Sequence, residues 1–339
     1  RGTTHQMKSY LFLSLLLLSS PSLTLARDFL CAGSLSKEQI GMDPRGATKL
    51  ARLRVEGTRN AIVLFAQFAD EEPGWGQVPE WSEDIFDPEL TGSFSHFYDT
   101  MSFDRLRVRG EIAPQLYASE YPASFFLSED SITPGRFGKF NGEILQQADE
   151  DIDFSQYDND GFDGVPNSGD DDGFVDILFV IIPSAPNNFL LGPATGIAEL
   201  GFFVSFETND LGVNGAPIRI SPRSGTIQQG RSFAEAVGVT CHEYGHVLGL
   251  PDFYNTGFLQ KKDAPPEEDS AGIGAWGLMG WGAFGWNGND GPNSFCAWSR
   301  MRLGWVALVD ISAQEEEIRL EDIGLQGQVF KVPLTGGEY

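Results

Sequence analysis

The densest chemical signal in the chain is His242-Glu243-Tyr244-Gly245-His246, followed three positions later by Gly249 and three later again by Asp252. On an α-helix, side chains at i and i+4 differ by about 40° of rotation and about 6 Å of rise, so both imidazoles can reach one ion. Glu243, one step round from His242, can face a water held on that ion. These are the parts of a zinc site in which the Glu is a base rather than a ligand. A purely structural zinc site would close four ligands and favour Cys.

The third ligand is found by counting. The chain has four His. His5 precedes an exported leader, and His96 falls on the off-side of a predicted helix, where a satisfied or exposed histidine is the plainer reading. That leaves an oxygen ligand and singles out Asp252, which read alone is an ordinary turn residue. Gly249 can end the helix in a left-handed conformation and Pro251 prevents its continuation, so the chain can turn back beneath the metal. Farther on, Trp276-Gly-Leu-Met279-Gly-Trp-Gly places Met279 in a Gly-rich turn, where it can form an apolar floor under the imidazoles.

A second cluster is acidic. Asp158, Asp160, Asp163, Asp170, Asp172 and Asp176 are interleaved with Gly over one loop. Calcium takes six to eight oxygens, and such turns fold carboxylates and carbonyls inward. The spacing is not that of an EF-hand. A solvated acidic loop is the competing reading; the regular Gly placement and the apolar strand just after it favour calcium.

These residues need elements to hold them. Residues 61–69 and 176–183 are apolar runs of buried-strand length. Residues 105–113, 201–206 and 216–221 also read as strands, the last near an edge because of Pro217. Residues 93–101 and 138–152 read as helices, and the zinc helix starts near Ser232. From these elements the expected fold class is α+β, with about five strands and two helices ahead of the zinc-site helix; the family resemblance given below implies a zincin/metzincin-like catalytic domain with a twisted, mostly parallel sheet. By fold analogy with the family named below, an extended peptide substrate is expected along the edge strand near 201–206.

Length, charge and cysteines bound the rest. The 339 residues, 41% hydrophobic with 26 Phe, suffice for a large core. A net charge of −25 argues against nucleic acid or an anionic membrane as partner. Residues 1–26 comprise upstream residues and a secretory signal running from Met7 to about Ala26, too short for a membrane span. Residues 27–57 read as a short pro-segment or N-terminal arm, 58–309 as the catalytic domain, and 310–339 as the start of a C-terminal β region, truncated if the protein continues past Tyr339. Three Cys in an exported chain allow one disulfide, with Cys241–Cys296 the favoured pairing. Cys31 is either a free thiol, the plainer reading, or a thiolate that plugs the zinc in a latent form. Oligomeric state is not legible.

His242 to Asp252 with Met279 resembles the metzincin arrangement, with Asp in place of the third His. More narrowly, the chain resembles the immune inhibitor A family of secreted metallopeptidases. The stretches that carry the likeness are Gly57-Thr-Arg-Asn-Ala-Ile-Val-Leu-Phe, Ser93-Phe-Ser-His-Phe-Tyr, Tyr157-Asp-Asn-Asp-Gly, His242-Glu-Tyr-Gly-His, Leu250-Pro-Asp-Phe-Tyr and Ala297-Trp-Ser-Arg-Met-Arg-Leu-Gly-Trp305. The resemblance implies a calcium-stabilised zinc endopeptidase made as a zymogen and acting on proteins or peptides. It makes His242, His246 and Asp252 the ligands, Glu243 the base and Met279 the turn residue. The rival expectation is a secreted calcium-dependent binding module with a decayed peptidase site.

Overall fold

The structure, a computed structural model, describes Cys31 and residues 55–257, 272–311 and 317–332. The expected leader therefore lies outside the described residues, as does nearly all of the expected pro-segment.

A five-stranded sheet forms the frame, in the order β2-β1-β3-β7-β4. Its members are β1 (Gly57–Gln67), β2 (Leu106–Ala118), β3 (Ile177–Ile182), β4 (Gly196–Ile197) and β7 (Gly225–Gln229). All neighbours are parallel except β4, which runs antiparallel to β7 at the edge. The apolar runs of β1 and β3 follow from burial on both faces. Ala61, Val63, Phe65, Ile177, Phe179 and Ile181 belong to one core, whereas Ile62, Leu64, Leu178, Val180 and Ile182 belong to the other.

Helices cover both faces. α1 (Phe94–Ser102) starts at Ser93, whose side chain accepts from the His96 amide, and buries Phe94, Phe97, Tyr98 and Met101. A short α2 (Ala123–Phe126) and α3 (Phe137–Ala148) supply the opposite core with Phe126, Phe140, Ile144 and Leu145. Phe94 meets Phe86, Tyr98, Phe179 and Tyr244, and truncating such a ring to Ala costs about 3–5 kcal/mol.

α4 (Phe233–Val247) carries the H-E-x-x-H residues. Its start is fixed by Ser232 and by Glu235, which accepts from the Arg231 amide at 2.8 Å and from the Arg231 guanidinium at 2.8 Å. β7 holds its flank, because Gln228 Nε2 donates to Thr240 Oγ1 at 2.9 Å. Beyond α4 come α5 (Ala297–Arg302), β8 (Ala307–Asp310), α6 (Ile323–Gln326) and β9 (Gln328–Lys331), with β8 and β9 paired in parallel.

Two strand expectations need correction. Residues 201–205 form no strand; β5 (Phe206–Leu211) begins only at their end and pairs with β6 (Pro217–Ile220) in a separate two-stranded sheet. The central sheet instead takes β7 and β4. β7 reads Gly-Thr-Ile-Gln-Gln and is fully buried, with its polar side chains bonded to one another and to α4, so apolar periodicity does not reveal it.

Candidate metal centre

α4 ends where the site begins. Gly249 takes φ +91°, its amide bonds the His246 carbonyl at 2.9 Å, and the Leu250 amide bonds the Gly245 carbonyl at 3.0 Å. This left-handed closure reverses the chain and carries Asp252 back to the helix. Asp252 Oδ1 lies 3.1 Å from His242 Nε2 and 3.3 Å from His246 Nε2, and the two Nε2 atoms are 3.2 Å apart.

That triangle fits a metal. Ligand atoms about 2.05 Å from a tetrahedral zinc stand roughly 3.3 Å apart. His242 Nδ1 donates to the Leu278 carbonyl at 2.7 Å, and His246 Nδ1 donates to the Leu250 carbonyl at 2.8 Å. Because a carbonyl only accepts, both Nδ1 atoms carry hydrogen, and both Nε2 lone pairs face the Asp252 oxygen. Three acceptors converging at this range call for a cation. Without a metal, a proton on an imidazole takes the cation's place: burial opposes ionisation of Asp252, but His246 and His242 hold it well below the usual carboxylate range. Burial likewise works against a charged His246, yet Asp252 raises it to about 9.

Glu243 is completely buried, and burial pushes its carboxyl up to about 7 against the pull of the two histidines. Its Oε2 accepts from Cys31 Sγ at 3.1 Å, while Oε1 has no hydrogen-bond partner among the described residues. Gly196 on edge strand β4 makes room for it, since a Cβ there would lie 2.4 Å from Glu243 Oε1. Met279 is buried beside the helix, and a Cβ on Gly245 would meet its sulfur at 2.6 Å. Its carbonyl accepts from the Phe253 amide at 2.7 Å, tying the 278–279 segment to the return loop.

Cys31 joins the cluster. Its sulfur and one ligand atom each of His242, His246 and Asp252 lie within 4.8 Å of one another. The sequence offers Cys31 as a free thiol, the plainer reading, or as a thiolate that plugs the zinc, and it gives no signal for Gly196. His96, half-buried on α1, is outside the cluster. The expected Cys241–Cys296 disulfide is corrected, because both are free thiols. Cys241 is wholly buried in the core, and Cys296 Sγ lies 3.4 Å from Ser299 Oγ at the start of α5.

The acidic loop sorts its carboxylates. Asp158, Asp160 and Asp172 each bring one oxygen within 4.8 Å of the others. Asp158 is buried, its Oδ2 accepting from the Gly173 amide at 2.8 Å, and its Oδ1 has no partner among the described residues. Burial and the nearby Asp172, Asp171 and Asp160 push it up to about 7. Asp163 and Asp170 instead fold the loop on itself, accepting from the Val165 amide at 2.9 Å and from Ser168 Oγ at 2.5 Å respectively. Asp176 accepts from the Asn159 amide at 3.0 Å, and Asp171, which the sequence did not single out, accepts from Gly161 at 2.8 Å.

The family model described as Immune inhibitor A peptidase M6, catalytic domain, matches residues 81–307, a span that includes His242, His246, Asp252 and the acidic loop but not Cys31. The protein named Immune inhibitor A of Bacillus thuringiensis subsp. alesti is 25% identical over 256 residues, which cover 64% of this chain and 35% of that relative. The chain thus spans about a third of the length of the relative it matches.

Proposed function

Because the chain belongs to the immune inhibitor A family of M6 peptidases, we propose that it is a secreted zinc endopeptidase whose metal is held by His242, His246 and Asp252. The observation that carries this reading is the triangle of two Nε2 atoms and one Oδ1 with sides of 3.1, 3.2 and 3.3 Å. Zinc at that point supplies an acidified water and a Lewis acid for the scissile carbonyl. Glu243 takes the proton of the attacking water and delivers it to the leaving amine. The walls of α4, β4 and the return loop keep its carboxylate dry, and that burial raises its proton affinity. Met279 braces Gly245 from below, the part expected of a Met-turn.

β4, the edge of the central sheet beside Glu243, replaces 201–206 as the strand along which an extended peptide would lie. Residues 58–309 form the catalytic unit in this reading. Asp158, Asp160 and Asp172 hold calcium, which neutralises the buried Asp158 carboxylate, one of whose oxygens has no hydrogen-bond partner among the described residues. Export rests on the leader-like run Met7–Ala26; among the described residues no helix is long and apolar enough to cross a membrane. A decayed binding module is disfavoured, since no residue the chemistry needs is missing.

The test is casein cleavage by the purified chain with and without phenanthroline. Chelator-sensitive cleavage is expected, and cleavage indifferent to zinc removal contradicts the reading.

A further inference from the structure

We propose that Cys31 is a fourth zinc ligand that holds the chain latent, an inference about regulation that rests on the peptidase reading of the same site.

Cys31 is fully buried, yet its thiol sits among polar site atoms. It lies within 4.8 Å of the ligand atoms of His242, His246 and Asp252, and it donates to Glu243 Oε2 at 3.1 Å. Two backbone contacts fix its approach. The Cys31 amide donates to Tyr254 Oη at 3.3 Å, and Cys31 forms a parallel bridge with Gly196 on β4. The other fully buried cysteine, Cys241, belongs to the same hydrophobic core but not to this group of possible ligands, so burial alone does not bring a thiol to this place.

The chemistry fits. Two imidazoles and one carboxylate leave one position of a tetrahedral zinc, and a thiolate is a strong zinc ligand. In that position Cys31 excludes the attacking water. It also lies against the Glu243 carboxylate, and its bridge to Gly196 takes the backbone seat on β4 that a substrate would use. One residue thereby obstructs the water, the base and the edge strand. Activation is a ligand exchange without redox change. The Zn–S bond breaks, a water oxygen takes the vacated place, and the departing thiolate collects a proton from solvent.

The test is zinc X-ray absorption on the full-length zinc-loaded chain, with caseinolysis measured on the same samples. The parent is expected to show one sulfur at about 2.3 Å, and Cys31→Ala and Cys31→Ser only nitrogen and oxygen. Both variants should keep the zinc and cleave casein about tenfold faster or more, as the competent fraction rises. Iodoacetamide should label Cys31, read by peptide mass spectrometry, much faster once zinc is stripped. A sulfur-free parent that cleaves casein overturns the inference and leaves the peptidase reading standing. A sulfur shell lost in the variants with no rise over an active parent overturns latency alone. If parent and variants all bind zinc and none cleaves casein, latency falls together with the peptidase reading.

Discussion

At the end of α4 one carboxylate faces two imidazoles, whereas in the acidic loop three carboxylates face one another. The first cluster compensates its own charge: Asp252 is held low and His246 is raised to about 9 by the same contact. Its geometry is set by backbone carbonyls and a helix end, so the ligands can keep their places while water exchanges. The second cluster brings three carboxylates together, and burial leaves Asp158 raised to about 7 with one oxygen lacking a hydrogen-bond partner among the described residues. A cation there mainly lowers the energy of the folded chain. The difference teaches that two candidate metal sites in one fold can be read for opposite purposes, one for reaction and the other for stability.

The sharpest way to break this contrast is to change Glu243. Glu243→Ala should lower casein cleavage by about 10²–10⁴-fold with zinc stoichiometry unchanged, as metal analysis would report. Unimpaired cleavage would remove Glu243 from the role of base.

Next is removal of calcium, which should act on the melting temperature rather than on zinc content. Burial raises Asp158 to about 7 and Asp176 to about 8 in the folded chain. Raised carboxyl pKa values stabilise the fold below the unfolded value near 4 and lose that contribution as pH climbs through the folded values. In chelator the melting temperature should therefore fall from about pH 4 to about pH 8, and calcium should restore most of it at the upper end. A calcium effect that is flat with pH, measured by scanning calorimetry, would separate the ion from these carboxylates.

Gly196→Ala probes the reactive side with less force. Its Cβ would displace the Glu243 carboxylate, and a misplacement of about 1 Å costs on the order of 10²-fold in rate. Steady-state kinetics should show the loss in kcat with a small change in melting temperature; an equal fall in stability and no kinetic defect would make Gly196 structural. The smallest expected effect is that of Gly249→Ala. The left-handed φ of +91° makes a Cβ cost about 1–2 kcal/mol, visible as a few degrees in the thermal midpoint.

Much of the first cluster was legible in the sequence because its signal is local. His242 and His246 share a helix face by spacing, Gly249 ends that helix, and Asp252 followed from the scarcity of histidine. The acidic loop was legible as a composition but not in its division, since which Asp points inward depends on turns that bond Asp163, Asp170 and Asp171 to their own loop. β7 stayed hidden because a buried strand made of Thr and Gln satisfies its polar groups within itself and on the helix that follows, so no apolar run marks it. Gly196 and Cys31 reach Glu243 only through tertiary approach, across 212 positions for the cysteine. The disulfide expectation failed for the same reason, as counting cysteines says nothing about which core each thiol enters.

The most direct test of the account is zinc anomalous diffraction from crystals of the full chain. The account predicts one strong peak about 2 Å from His242 Nε2, His246 Nε2 and an Asp252 carboxylate oxygen. A peak elsewhere, or one bound by the histidines with Asp252 turned away, would contradict it.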